Sequence, residues 1–325
     1  MSKLIGREIE IGIGRETSRG TPVASSYWIP RRGFDFGDKA TVLIDNQSYG
    51  VIEDSTGNKI VSKWGEGTLE GVVRDRAIGL LFLNAIGTAI VVNTPEATLY
   101  THTFTVLQDH QHPSITLYVQ DPRNSTEVDY PLCMIKTLEI SADVNEFVVF
   151  SADLISQKGQ SATGTPTYIA ENEFVASEVS VYFADTQGEL GTATAVKVRS
   201  ASIIIDKDIE KDDILGSSDP DDFLNKSMKV SVSLSKTYNG TTYKDFFLAG
   251  TPKAMRIEIT SSVTIGASTN PKITIDLNKV TITDWSKDKD LDGIVMENLD
   301  MKAHFKIADS KMIQVVLINE VEKYI

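Results

Sequence analysis

Residues 228–235 read Met-Lys-Val-Ser-Val-Ser-Leu-Ser. Met228, Val230, Val232 and Leu234 alternate without a break with Lys229, Ser231, Ser233 and Ser235. Successive side chains of a strand point to opposite faces, so a period of two describes a strand with one dry and one wet face. A helix would spread the same residues around its whole circumference. The pattern recurs outward in both directions. Ile9, Ile11 and Ile13 alternate with Glu8, Glu10 and Gly12, and Ile115, Leu117 and Val119 with Thr116 and Tyr118. Val179, Val181 and Phe183 follow suit, then Ile273, Ile275 and Leu277, and finally Met301, Ala303, Phe305 and Ile307. Many of these positions are β-branched or Thr, which suit a pleated, half-buried surface. The fold class is mainly β, built as sandwich or barrel units.

Two segments read as helix instead. In Arg74–Ile86, Ile78, Leu81, Phe82 and Ile86 fall at helical spacing, and Gly87 is placed to cap the end. The second is Thr242–Ala249, stopped by Gly250. Each helix follows a strand rich in Leu, Ser and Gly, with Leu69 matching Leu234, and each ends in Gly-Thr. Pro113-Ser114-Ile115-Thr116 then matches Pro271-Lys272-Ile273-Thr274, so the separation falls from about 165 to about 158 residues. The expected organisation is one unit used twice, residues 1–160 and 161–325, each with one flanking helix. Lys158–Thr167, Lys-Gly-Gln-Ser-Ala-Thr-Gly-Thr-Pro-Thr, reads as a short flexible joint. Gly37–Ser62 reads as a long inter-strand stretch, partly disordered until the chain makes a contact that orders it.

Composition narrows the function. The chain has 325 residues, 32 basic and 45 acidic, for a net charge of −13. Residues 1–165 hold 14 basic and 20 acidic residues and residues 166–325 hold 18 and 25, so the acidity is spread evenly. Such a surface argues against gripping nucleic acid, which needs cations to displace condensed counterions, and against an anionic membrane. No apolar run is long enough to span a bilayer as a helix. Met1–Gly6 lacks the apolar core of a signal peptide. The single Cys133 excludes an intramolecular disulfide framework and a cysteine-rich zinc site. Synthesis in a cytoplasm is the expectation.

No catalytic constellation is present. The sequence has no Gly-x-Ser-x-Gly elbow, no phosphate-binding Gly-x-x-x-x-Gly-Lys-Ser/Thr and no His-Glu-x-x-His. Gly12-Ile13-Gly14 starts like a dinucleotide fingerprint, but Thr17 stands at the third glycine and no helix follows. His110 and His112 share a face only if their stretch is a strand; beside Asp109 and Gln111 it reads as a loop. Asp288-Lys289-Asp290-Leu291-Asp292-Gly293 fits the first half of a calcium loop. The bidentate position holds Leu299, with Glu297 two residues early, so an acidic hairpin loop is expected. Cys133, between Leu132 and Met134, reads as a small core residue. No catalytic, cofactor or metal residue is assigned.

The N-terminal order of motifs carries a family likeness. Ile11-Gly12-Ile13-Gly14-Arg15-Glu16-Thr17-Ser18-Arg19-Gly20-Thr21-Pro22-Val23-Ala24 leads into Tyr27-Trp28-Ile29-Pro30. Gly50-Val51-Ile52-Glu53-Asp54-Ser55, Glu66-Gly67-Thr68-Leu69-Glu70-Gly71, Ile78-Gly79-Leu80-Leu81 and His102-Thr103-Phe104-Thr105 follow. This series resembles the major tail tube proteins of long-tailed, siphovirus-type bacteriophages. Val198–Ile205, the Tyr243–Gly250 helix and Asp290-Leu291-Asp292 extend the likeness into the second half.

The resemblance implies a structural subunit of the virion tail, with no catalytic residues. Units of that family form rings of six that stack into a hollow tube. DNA passes through the bore, which the tape-measure protein fills before ejection, and terminator and distal-tail proteins close the ends. Ring closure also satisfies unpaired sheet edges. An acidic wall repels phosphates over about 8 Å at physiological salt, so DNA passes without sticking. With two units per chain, three chains complete a pseudo-sixfold ring, and a homohexamer is the second expectation. The rival readings are a distal-tail or baseplate hub ring, and a surface or receptor-binding β module.

Overall fold

The structure is a computed structural model. It describes residues 5–94, 96, 98–121, 126–288 and 290–324. Met1–Leu4, part of the signal-peptide reading, and Lys289 of the acidic loop lie outside them.

Among the described residues, seventeen strands and two α-helices follow one another along the chain. The first half carries β1 (Glu10–Arg15), β2 (Tyr27–Trp28), β3 (Arg31–Asp45), β4 (Gly57–Val72), α1 (Ile78–Ile86), β5 (Gly87–Asn93), β6 (Tyr100–Val106), β7 (Ile115–Asp121), β8 (Thr126–Asp143) and β9 (Val149–Gln157). β10 (Gln160–Ser161) leads into β11 (Val179–Ala184), β12 (Ser200–Asp212), β13 (Asp222–Thr237) and α2 (Thr242–Ala249). β14 (Lys253–Thr260), β15 (Lys272–Lys287), β16 (Met296–Ala303) and β17 (Ile313–Asn319) complete it. The protein is mainly β, as the alternation requires, and the strand ladders are antiparallel.

The pairing order is the same in the two halves. β1 pairs β7, β7 pairs β8, β8 pairs β9, β9 pairs β4 and β4 pairs β3. In the second half β11 pairs β14, β14 pairs β15, β15 pairs β16, β16 pairs β13 and β13 pairs β12. The register irregularities recur too. β7–β8 slips between Ile115↔Cys133 and Leu117↔Tyr130, and β14–β15 between Lys253↔Val280 and Met255↔Leu277. β8–β9 skips Lys136, and β15–β16 skips Thr283. β3–β4 shifts between Thr41 and Val42, and β12–β13 between Asp208 and Ile209. A bulge bends its strand and raises the local twist, so bulges at matching places give the ladders matching curvature.

The halves meet edge to edge. β12 pairs β8 over seven residues, from Ser200↔Asp143 to Asp206↔Thr137. β17 pairs β6, which returns the C-terminal strand to the first half. One continuous core results, from Ile11 and Leu69 through Phe104, Leu138 and Ile203 to Val232, Met301 and Leu317. A smaller cluster of Leu132, Met134, Ile155 and Phe223 lies under the end of the β12–β13 hairpin.

Several expectations shift. α1 begins at Ile78, not Arg74, because Arg74 is held in an isolated bridge with Glu173, with an ion pair at 2.7 Å, and Asp75 accepts bonds from Asn172, so residues 75–77 form a turn ahead of the helix. Gly87 does cap α1, with φ 109° and its N–H on the Leu83 carbonyl, and Gly250 caps α2 at φ 60°. Pro113–Thr116 and Pro271–Thr274 are not topological counterparts. Ile115 starts β7, whose counterpart is β14, whereas Ile273 lies in β15. The β5–β6 hairpin, present only in the first half, displaces that alignment. The expected flexible joint is tied down, with β10 pairing β8 and the Gly159 N–H on Asp38 at 2.8 Å. Gly37–Ser62 is a two-stranded arm paired out to Asp45↔Gly57. The alternation at Phe305 and Ile307 runs past β16 onto exposed surface.

Candidate functional site

The histidines do not form a site. His102 is buried, its Nε2 2.7 Å from the Val321 carbonyl, and burial lowers its pKa. His112 is buried with Nε2 3.1 Å from the Leu107 carbonyl, and desolvation pushes its pKa down to about 4. His110 instead faces solvent beside Asp109, and His304 bonds Thr281 at 2.7 Å. Among the described residues no group of three or more His, Cys, Asp or Glu is placed to hold a metal. Cys133 is fully buried in the core and desolvation raises its thiol pKa.

The Asp288–Gly293 loop joins β15 to β16, with the Asp290 N–H on Asp288 Oδ1 at 3.1 Å. Glu297, the nearest carboxylate to the bidentate position, is turned into the core. Its Oε1 takes Lys236 Nζ at 2.6 Å and its Oε2 takes Trp285 Nε1 at 3.1 Å. The acidic stretch Asp219-Pro220-Asp221-Asp222 is partly spent on ion pairs, Asp222 with Arg19 and Asp219 with Lys158 at 2.7 Å.

What the fold does build is a broad polar sheet face. β3, β4, β9, β8, β12, β13, β16 and β15 lie side by side in that order. Directly opposed residues share a face, so the register sorts them. The row Gly71–Phe150–Ile140–Ile203–Val232–Met301–Ile282 faces the core. The next row, Glu70–Ser151–Glu139–Ile204–Ser231–Lys302–Thr281, faces away. On the same outer face run Asp35–Thr68–Asp153–Thr137–Asp206–Lys229 and Ser141–Ser202–Ser233–Asp300–Asp284. Every residue of these outer rows is exposed or half-buried.

The chemistry of this face is uniform. Asp35, Glu70, Glu139, Asp153, Asp206, Asp284 and Asp300 stand against Lys229 and Lys302, and most of the remainder is Ser or Thr. Ile204 is the one large apolar side chain in the three rows. Short hydroxyls hold the acids in place: Ser202 donates to Glu139 at 2.6 Å and Ser233 to Asp300 at 2.7 Å. A surface of this kind repels phosphate and offers no stacking platform for bases. The Ser alternation at 231–235 was legible in the sequence, but the juxtaposition of β8 and β12 that makes the face continuous was not.

The face ends in two open edges. β3 pairs only with β4, and the Thr281–Lys287 part of β15 pairs only with β16, among the described residues. The outer end of the β3–β4 arm exposes Leu43, Ile44, Tyr49, Ile52 and Ile60. The two helices also differ. All nine residues of α1 are buried, whereas α2 has no buried residue and Leu248 is 69% exposed. Open edges and bare apolar surface mark association sites.

A search of curated proteins found no match. The family model described as phage tail tube protein matches residues 6–303, a span running from before β1 to the end of β16. A structural subunit of the phage tail accounts for a molecule whose most developed feature is an uncovered sheet face with free borders, and by this match the chain belongs to the phage tail tube protein family.

Proposed function

We propose that the chain is a tandem duplication of one tube unit, residues 1–160 and 161–325, and that three chains close into a pseudo-sixfold ring. The rings stack into a hollow conduit through which DNA leaves the virion. The duplication is supported by the common pairing order and by the three matched register irregularities. A six-chain ring is the second reading, and it doubles the strands around the wall.

The observation that carries the conduit reading is the outward acidic face of the continuous sheet. Eight strands from each of three chains make a barrel of twenty-four. With strands about 4.8 Å apart and tilted by about 40°, the backbone diameter is near 48 Å and the bore about 35 Å after side chains. Duplex DNA fits in that space with room for water and ions. The seven carboxylates of the face line the bore and keep phosphates in solution. The bore holds the tape-measure protein before ejection. Ring faces contact further rings along the tube and terminator or distal-tail proteins at its ends. The subunit works without catalysis, and no membrane contact is involved.

Negative-stain microscopy of the purified chain tests this, with mass measurement of the particles. Rings or tubes with a central hole, at three chains per ring, are the expected result. A monomer at high concentration with no ring in any phage-like particle would overturn the reading. One copy of the ring per particle in place of many stacked rings would instead identify a hub component.

A further inference from the structure

Inside the chain, one unit already docks on the other. β12 lies along the outer edge of β8 in the register Ser202↔Ser141, Ile204↔Glu139 and Asp206↔Thr137. The shared irregularities fix which residues correspond between the halves. Leu69 matches Leu234, the skipped Lys136 matches the skipped Thr283, and Thr41–Val42 matches Asp208–Ile209. β12 therefore corresponds to β3, and β8 to β15. The two edges that would repeat this junction are the two that are open in the isolated chain.

We propose that β3 of one chain pairs with the open edge of β15 of a second copy, in the register that β12 keeps with β8. The inference rests on the duplicated-unit ring above and names its seam. Carried across the correspondence, the register sets Gly37 opposite Ser286, Lys39 opposite Asp284 and Phe36 opposite Lys287. The chemistry of the two edges agrees with this. Lys39 and Asp284 are oppositely charged and exposed, and opposed charges across a strand pair are favourable.

The helices supply an independent observation. In the internal junction Lys207 of β12 reaches α1, its Nζ 2.8 Å from the Asn84 carbonyl. The counterpart of Lys207 is Ala40, and that of Asn84, three residues before the capping glycine, is Phe247. A polar tether inside the chain is matched by an apolar pair at the seam. Ala40 is exposed and Phe247 half-buried in the isolated chain, on a helix of which no residue is fully buried. The neighbour's β3 covers that helix.

Cysteine pairing tests the register directly. Opposed residues on antiparallel strands have Cα atoms about 4.5–5.5 Å apart, within the range a disulfide spans. A Cβ added at Gly37 meets nothing within 4 Å, and Cys133 is fully buried. Oxidation of assembled Gly37→Cys/Ser286→Cys chains is expected to give a disulfide ladder that ends at the ring size. The Ile204→Cys/Glu139→Cys variant, at the internal junction, is expected to oxidise with no gain in mass. Rings that form while Gly37→Cys/Ser286→Cys stays uncross-linked, or cross-links only within one chain, would overturn the seam and leave the ring reading standing. Failure of the unsubstituted chain to form rings would overturn the ring reading itself. As a second variant, Lys39→Asp is expected to weaken assembly roughly fivefold per seam by setting two carboxylates opposite each other, and Lys39→Asp/Asp284→Lys to restore it. Equal assembly of all three would also overturn the seam.

Discussion

Lys207 Nζ lies 2.8 Å from the carbonyl oxygen of Asn84, joining β12 of the second half to the last turn of α1 in the first. The side chain is 2% exposed. Desolvation, aided by Arg19, lowers its pKa from 10.5 to about 7. The helix C-terminus, with its unpaired carbonyls, is the end that favours a cation. The two units are thus pinned by a lysine whose charge is costly to keep.

This gives a pH dependence with a definite sign. Between pH 7 and 10.5 the unfolded chain keeps the Lys207 proton and the folded chain has released it. Stability therefore rises with pH across that window, and the full penalty applies below pH 7. Lys207→Met is expected to flatten this rise and to gain stability at pH 6 relative to pH 9, by an amount on the order of 1–3 kcal/mol. Thermal melts of both chains at the two pH values measure it. An unchanged slope in the variant would show that Lys207 is not the group responsible.

Lys236 and Glu297 form a second buried pair, with exposures of 3% and 0% and a separation of 2.6 Å. Removing one partner leaves an uncompensated charge in the core. Lys236→Met is expected to cost roughly 3–5 kcal/mol, and Lys236→Met/Glu297→Leu to recover most of it. A double-mutant cycle in denaturant supplies both numbers. Additive losses would mean the pair is not coupled.

Glu16 organises the loop after β1. Its carboxylate accepts from Ser114 Oγ at 2.5 Å, Thr116 Oγ1 at 3.0 Å, Leu132 N at 2.8 Å and Gly20 N at 2.7 Å. Glu16→Ala strands several buried donors at once and is expected to lose about 3 kcal/mol or more. Hydrogen exchange at Leu132 and Gly20 should quicken in the variant, and unaltered protection there would contradict this account.

The acidic sheet face makes a prediction about DNA. Glu139→Lys/Asp153→Lys/Asp206→Lys places three cations on one stretch of the wall, without touching the core rows. Assembled tubes of this variant are expected to retain duplex DNA, with the logarithm of affinity falling against that of salt by about 0.9 per added phosphate contact. Filter retention across a salt series reads this. No retention at low salt would place these residues away from the bore.

Much of the local structure was legible. β13 and α2 fall where the alternation and Gly250 put them, and Cys133 sits in the core beside Leu132 and Met134. The start of α1 was misread because Arg74 and Asp75 are engaged by Glu173 and Asn172, nearly a hundred positions away, which leaves a bridge and a turn ahead of Ile78. The match of Ile115 to Ile273 failed because a Pro-x-Ile-Thr start suits any strand.

By itself the sequence determined which residues face oil and which face water, because strand period and helix capping are set by neighbours in the chain. It also determined the surplus of negative charge. Only the tertiary structure decided that β8 accepts β12, that Ser202 stands opposite Ser141, and that β3 and β15 are left open. Strands pair through backbone N–H and C=O groups, which nearly every residue carries, so any edge can join any other until packing and bulges choose the partner.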